Sequence, residues 1–298
     1  MEKKTPKVAF IIQCHKNPEQ IHLLTQSLKK LYDCEIFVHL DRKSAAIRPQ
    51  LHTENVKLLP EEKSVDVRWS KFSQCEATLA LMEAVVSSGQ EFDYVWLISG
   101  QDLPIAGGDR LPLPAQPFIE VMGPENPMYR TFSKRNDIYY PEWLMERGRK
   151  DDIMRMIYQR LTGGVEQTWG FCRRKLGVPY YFGSSWWCLP FGCVKEMLEL
   201  LKKDSRFTSF FRNAINSDES FFQTLFMQTS YAGQQRPIPV YIDWSQGFAS
   251  PRTFTCGEFD VLRTAGETNL LARKFDFGVD EAVCRRVLTE LCGISDVS

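Results

Sequence analysis

Lys7 to Cys14 (KVAFIIQC) is an almost unbroken apolar run near the start of the chain, and few folds can hold it. A half-exposed strand alternates apolar and polar residues, so a run without alternation belongs to a strand buried on both faces of a parallel sheet. His15-Lys16-Asn17-Pro18 breaks the run, and Pro18 suits the first position of a helix. Ile21, Leu24, Leu28 and Leu31 keep helical period up to Tyr32. Glu35 to Leu40 (EIFVHL) then forms a second short strand ending in Asp41-Arg42-Lys43-Ser44. Strand, helix and strand in this order make a βαβ unit with a right-handed crossover. Ligands of such sheets lie beyond the carboxyl ends of the strands, which is where His15 and Asp41 stand. Asp41 can accept from a ribose or from the imide N–H of uracil, or can serve as a turn residue.

The α/β pattern continues. A third strand falls near Val56 to Leu59, a helix over Gln74 to Val86, and a buried strand over Phe92 to Ile98 (FDYVWLI). That strand closes on Ser99, Gly100 and Asp102, where Gly100 permits close backbone approach and Asp102 reads as a site carboxylate or an ordinary turn residue. Ala106 to Pro127 is rich in Gly and Pro around a short strand at Phe118 to Glu120. Thr131 to Thr168 reads as loop and amphipathic helix, an acceptor-side insertion or lid. Tyr180 to Pro190 (YYFGSSWWCLP) sets Trp186 and Trp187 beside small polar residues, a pattern that sugar platforms share with plain cores. Helices follow over Val194 to Lys202, Glu258 to Arg263 and Asp280 to Leu291. In Leu270 to Asp276 (LLARKFD), Arg273 and Lys274 stand adjacent inside an apolar frame. Such a pair suits a diphosphate, while surface pairing with Asp276 is the competing reading.

Asn216 to Leu225 (NSDESFFQTL) carries two adjacent carboxylates at the start of an amphipathic run. Ser217 or Asp218 can cap a helix, which places Glu219 in the first turn. Phe221, Phe222, Leu225 and Phe226 would dock one face in the core and hold Glu219 at the rim of a cleft. A carboxylate held there can take a proton from a hydroxyl; the plainer reading is that Asp218 and Glu219 complement the helix dipole.

Composition narrows the class. The 298 residues are 43% hydrophobic with zero formal net charge, which suits one large domain and gives no support for nucleic-acid binding. The nine cysteines form no C-x-x-C, which argues for a reducing compartment and against structural zinc. No apolar run approaches the roughly twenty residues of a membrane span. The opening residues read as a short polar lead into a strand, not a targeting peptide. There is no G-x-G-x-x-G after the first strand and no G-x-x-x-x-G-K-[ST], which weakens an NAD-type oxidoreductase or a P-loop NTPase.

Taken in order, FIIQCHKNPEQ, FVHLDRKS, WSKFSQCEATLALMEA, FDYVWLISGQDLPI, FGSSWWCLP, NSDESFFQTL and SPRTFTCGEFDVL…LLARKFD resemble the core-2/I-branching family of glycosyltransferases. That family includes β-1,6-N-acetylglucosaminyltransferases, peptide O-xylosyltransferases and many bacterial members. The resemblance spans roughly residues 7 to 276, and the co-linear order of the motifs is what makes it specific.

The resemblance implies a GT-A-type α/β fold with a Rossmann-like mixed sheet flanked by helices, in one catalytic domain. Residues 7–105 would be its nucleotide-binding half and 106–298 its acceptor and catalytic half. It also implies an inverting mechanism, a UDP-sugar donor, a glycan acceptor and no cofactor. Glu219 matches the family's catalytic base, Lys274 the lysine on the donor diphosphate, and Asp41 the aspartate near the nucleotide. Arg252 matches the diphosphate arginine in spacing, with Arg273 as the second candidate. His15 is expected on the nucleotide side. Ser99, Gly100, Asp102, Glu120, Trp186, Trp187 and Asp218 are expected around the sugar. No two aspartates stand two positions apart, so no divalent metal is expected. The membrane anchor and disulfide framework of the animal enzymes have no counterpart here. A bacterial cytoplasmic enzyme is therefore expected, with peripheral association at the inner face of the membrane and oligomeric state left open. N-acetylglucosamine is the expected sugar. A UDP-xylose-dependent enzyme and a catalytically silent carbohydrate-binding protein of the same fold are the alternatives.

Overall fold

The computed structural model describes residues 5–145, 153–154, 156–158, 176–247 and 250–295. Strand β1 (Lys7–Cys14) runs through the middle of a six-stranded sheet and is buried along nearly its whole length. It pairs in parallel with β2 (Asp33–Leu40) on one side and β4 (Tyr94–Ser99) on the other, with Cys14 opposite Leu40 and Gln13 opposite Ser99. The three strands therefore end level, and the residues that follow them share one edge. β3 (Lys57–Leu58) extends the sheet beyond β2 in parallel. β7 (Trp187–Pro190) and β6 (Phe118–Ile119) complete it antiparallel beyond β4. The order is β3-β2-β1-β4-β7-β6, a mixed sheet as the resemblance implies.

The two faces of β1 divide the core. Val8, Phe10 and Ile12 pack with Ile21, Leu24 and Leu28 of α1 (Pro18–Leu31). Ala9 and Ile11 pack with Cys75, Leu81, Met82 and Val85 of α2 (Ser73–Ser87) on the other side. Both clusters are buried and apolar, which is why the run needs no alternation.

A second sheet of three short strands, in the order β5-β9-β8, joins Asp102–Pro104 (β5) to Leu271–Arg273 (β9) and Val240–Ile242 (β8). β5 is antiparallel to β9, and Asp102 lies directly opposite Arg273. The remaining helices are α3 (Tyr129–Asp137), α4 (Phe191–Lys203), α5 (Arg206–Phe211), α6 (Phe221–Phe226), α7 (Phe259–Ala265) and α8 (Phe277–Glu290). Most of the insertion expected over Thr131 to Thr168 lies outside the described residues beyond Met145. Among the described residues no helix is long and apolar enough to cross a membrane.

Candidate active site

Glu219 is held by backbone geometry more than by a helix. Asn216 adopts a left-handed conformation (φ 51°) and donates its N–H to the Ser70 carbonyl at 3.0 Å. The sharp reversal starts a 3-10 turn, Ser217–Glu219, and α6 begins only at Phe221. This corrects the expectation of an α-helix starting at Ser217 or Asp218: Glu219 precedes the helix, and Asn216 supplies no side-chain cap. All six residues of α6 are buried, so the short helix is an anchor driven into the core. The Glu219 carbonyl accepts from the Gly183 N–H at 2.9 Å, which pins the turn from the opposite side. A Cβ at Gly183 would lie 2.1 Å from the Glu120 carbonyl oxygen, so only glycine permits that approach.

The Glu219 carboxylate pairs with the Arg135 guanidinium, reached from α3. Its side chain keeps 39% of its surface open, facing a cavity of about 620 Å³ lined by Glu120, Phe132, Ser185, Asp218, Tyr241 and Trp244 among others. Protein surrounds the carboxylate on its remaining sides. Desolvation and then the neighbouring Asp218 push its pKa above the usual carboxylate range, while Arg135 pulls it back. Asp218 accepts from Ser185 Oγ at 2.6 Å, and desolvation raises its pKa as well. Glu120 accepts from the Ser184 N–H at 2.9 Å.

A second cavity, about 700 Å³, opens at the level ends of β1, β2 and β4, lined by Gln13, His15, His39, Asp41, Lys43 and Ser99 among others. Asp41 is buried, accepts from the Lys43 N–H at 3.0 Å and pairs with Lys43 Nζ at 3.2 Å. His39 accepts the Val65 N–H on Nε2, and burial lowers its pKa to about 4, so it is a neutral ring at neutral pH. His15 stands exposed, its pKa lowered by desolvation and then by Lys16.

Trp69, Gln74, Trp186 and Arg273 line both cavities and form their common wall. The Arg273 guanidinium stacks 4.0 Å from the Trp186 ring centroid and lies 3.5 Å from Asp102. Only 11% of its side chain is exposed, and Nη1 has no hydrogen-bond partner. A buried guanidinium whose Nη1 meets only the long ion pair with Asp102, at the junction of two cavities, can receive an anion.

Five sequence expectations change in detail. Trp187 is fully buried in β7 and packs on Phe222, so it is core and cannot stack on a sugar, while Trp186, one residue earlier, faces the cavities. Asp102 is buried and accepts from the N–H and hydroxyl of Ser99; it lines neither cavity and serves to position Arg273. Gly100 owes its lack of a side chain to packing, since a Cβ there would lie 2.2 Å from Ile21 Cδ1. Arg252 is held between Asp243 at 2.9 Å and Glu258 at 3.0 Å and lines neither cavity. Lys274 also stands outside both linings, half-buried, with its pKa lowered by desolvation and then by Arg273, although its charge reaches His15. Among the described residues no group of three His, Cys, Asp or Glu side chains could hold a metal ion.

Residues 8–112 match the family model described as Core-2/I-Branching enzyme. Over that stretch the chain is similar to the Core-2/I-branching enzymes. The match covers β1 to β5 and the strand-end cavity's lining from Gln13 to Gln101. Among solved structures, the chain is similar to an apo WbbM bifunctional glycosyltransferase, at 12% identity with a TM-score of 0.34. That likeness covers 90% of this chain and 45% of the other, so the chain spans under half of that protein. At this score the likeness carries no argument about the site. A search of curated proteins gives no match.

Sequence reasoning missed several lining residues. Arg135 sits in a polar run (SKRND) with no pairing signal, 84 positions from Glu219. Trp69 and Trp244 are exposed aromatics beside Ser and Asp, and nothing local in the sequence marks them as walls of a cavity.

Proposed function

We propose that the chain is an inverting glycosyltransferase that moves a sugar, N-acetylglucosamine first among the candidates, from a UDP-sugar to a glycan hydroxyl. The observation that carries this reading is the pair of cavities sharing Trp186 and Arg273, with Glu219 in one and the strand-end residues in the other. The nucleotide occupies the strand-end cavity, where Asp41 receives ribose or uracil donors. The diphosphate lies against Arg273, whose Nη1 makes no hydrogen bond, and Lys274 adds a second positive charge. Arg252, already neutralised by two carboxylates, takes no direct part. The sugar crosses the common wall beside Trp186. Glu219 takes the proton of the acceptor hydroxyl as that oxygen attacks the anomeric carbon from one face and UDP leaves from the other. Charge building on the leaving diphosphate meets fixed cations that need no reorganisation, and this chemistry requires no divalent ion.

A thermal-shift screen across UDP-sugars, followed by measurement of UDP release with a glycan acceptor, tests the reading. A UDP-sugar that binds raises Tm through mass action. UDP-N-acetylglucosamine is expected to do so and to turn over, and UDP-xylose to do less. Binding of no UDP-sugar defeats the proposal. Binding without UDP release points to a silent carbohydrate-binding protein.

A further inference from the structure

We propose that Arg135 is the positioning residue of the base: it fixes one oxygen of Glu219 so that the other faces the acceptor, and it sets a positive charge against the carboxylates crowded around the turn. The inference rests on the reading of Glu219 as the base. α3 grips the catalytic turn at both ends through consecutive residues. The Arg135 carbonyl accepts from the Ile215 N–H at 3.1 Å, one residue before the left-handed Asn216. Asn136 Nδ2 donates to Ser220 Oγ at 2.7 Å, one residue after Glu219. The Phe132 ring lies 4.6 Å from the guanidinium carbon and supports it from within the same helix. The guanidinium is thus located by backbone, side chain and ring before it meets Glu219 Oε2, and the carboxylate cannot swing without breaking that pair. A single Nη1 donor on Oε2 leaves Oε1 free, and the rigid planar guanidinium holds that donor in a fixed direction, which a flexible ammonium does not reproduce.

The electrostatic half follows from who faces Glu219. Asp218 on the same turn and Glu120 beyond β6 are both negative and, with desolvation, favour the protonated form. Arg135 is the cation that opposes them for both carboxylates of the turn. A base that has picked up a proton from solvent cannot take one from the acceptor. Removing Arg135 therefore leaves desolvation and two carboxylates unopposed, and the fraction of Glu219 able to act at neutral pH falls. During the reaction the acceptor O–H proton passes to Oε1 while Oε2 stays paired, and Arg135 neither gains nor loses a proton.

The test is the pH profile of kcat/KM, which reports groups of the free enzyme, in Arg135→Gln, Arg135→Lys and Phe132→Ala. Arg135→Gln is expected to move the acid limb to higher pH, to lower the rate at pH 7 by about tenfold, and to recover much of it at high pH. Arg135→Lys should keep the limb near wild type but lose rate at every pH, because charge returns without the rigid planar donor. Phe132→Ala should give a limb between wild type and Arg135→Gln. UDP binding with wild-type affinity shows that each variant is folded, since the strand-end cavity is untouched. An acid limb that stays at the wild-type pH in Arg135→Gln and Phe132→Ala overturns the inference, as does a limb that moves down. Glu219→Gln separates the two failures. Wild-type turnover in that variant removes the base itself, whereas lost turnover there with an unmoved limb in Arg135→Gln removes this inference alone.

Discussion

The cavity at the strand ends sets His15, His39, Lys43 and Arg68 around Asp41, whereas the cavity beside the turn sets Glu120, Asp218 and Glu219 around Arg135, and Arg273 belongs to both. On the proposed reading the first receives the donor nucleotide, with Arg273 at its edge, and the second removes the acceptor proton. In the first, rigidity comes from strands: β1, β2 and β4 end level, and Asp41 is fixed by the turn that follows β2. In the second it comes from an irregular turn, pinned by Ser70, Gly183 and α3. On the proposed reading, binding and proton removal fall to separate pieces of backbone. A change in one should leave the other measurable.

The largest break is at the base. Glu219→Gln keeps the shape and cannot take the acceptor proton, so turnover should fall about 10²-fold or more, while UDP affinity, read by titration, should stay near wild type. Near-wild-type turnover in Glu219→Gln would end the assignment of roles to the two cavities.

Next in size is the aromatic pair. Trp187→Ala should cost roughly 3–5 kcal/mol of stability in chemical denaturation, as expected for a buried Trp in a packed core. Trp186→Ala should cost much less stability and should weaken donor binding, because it removes the ring under Arg273. Equal effects of the two on stability would place Trp186 in the core as well.

Arg273→Ala should then weaken UDP binding by about 10- to 100-fold, the range for hydrogen bonds to a charged partner. Arg252→Ala should weaken it far less. Donor affinity should also fall as salt rises, because ion pairs with phosphate are screened. A larger loss in Arg252→Ala would return the diphosphate to that side chain. Turnover is expected to survive EDTA, and complete loss restored by manganese would show that a divalent ion carries the leaving group.

The smallest effect concerns Asp218 and needs the sign worked out. Its folded-state pKa lies above the usual 3.8 because desolvation disfavours the charge. The folded state therefore binds the proton more tightly than the unfolded chain. That contribution to stability is full below the ordinary pKa and is lost as pH rises through the raised one. Asp218→Asn should raise Tm by no more than a few degrees at pH 7 and by nothing at pH 3. A lower Tm at pH 7 would mean that the bond from Ser185 outweighs the desolvation.

Much of the fold was legible and the second cavity much less so, for a physical reason. β1 was readable to the residue, because burial on both faces leaves a mark in every side chain. α4 was readable from its spacing, with ends shifted by one to three residues. The Glu219 turn was misplaced because Ser217 and Asp218 signal a helix start in the same way for a 3-10 turn as for an α-helix. What decides between them is the left-handed Asn216, a conformation that asparagine tolerates but does not announce. Arg135 was unreadable because an ion pair across 84 positions has no local pattern. The two tryptophans looked alike in sequence, and only the start of β7 between them turns one inward.

The antiparallel pairing of β5 with β9 governs where this polypeptide can be cut. Residues 8–112, the stretch that carries the family match, look like a module that could be expressed alone. Yet such a fragment would lose β7 from the flank of β4 and β9 from the flank of β5, which leaves two bare strand edges. Bare edges template pairing with other copies. Asp102 would also keep its place under the sheet with no Arg273 across from it, a desolvated carboxylate without its counter-charge. The fragment should precipitate when made alone. Supplied with residues 113–298 as a second polypeptide, it should assemble into one soluble unit, because the completing strands arrive from the partner.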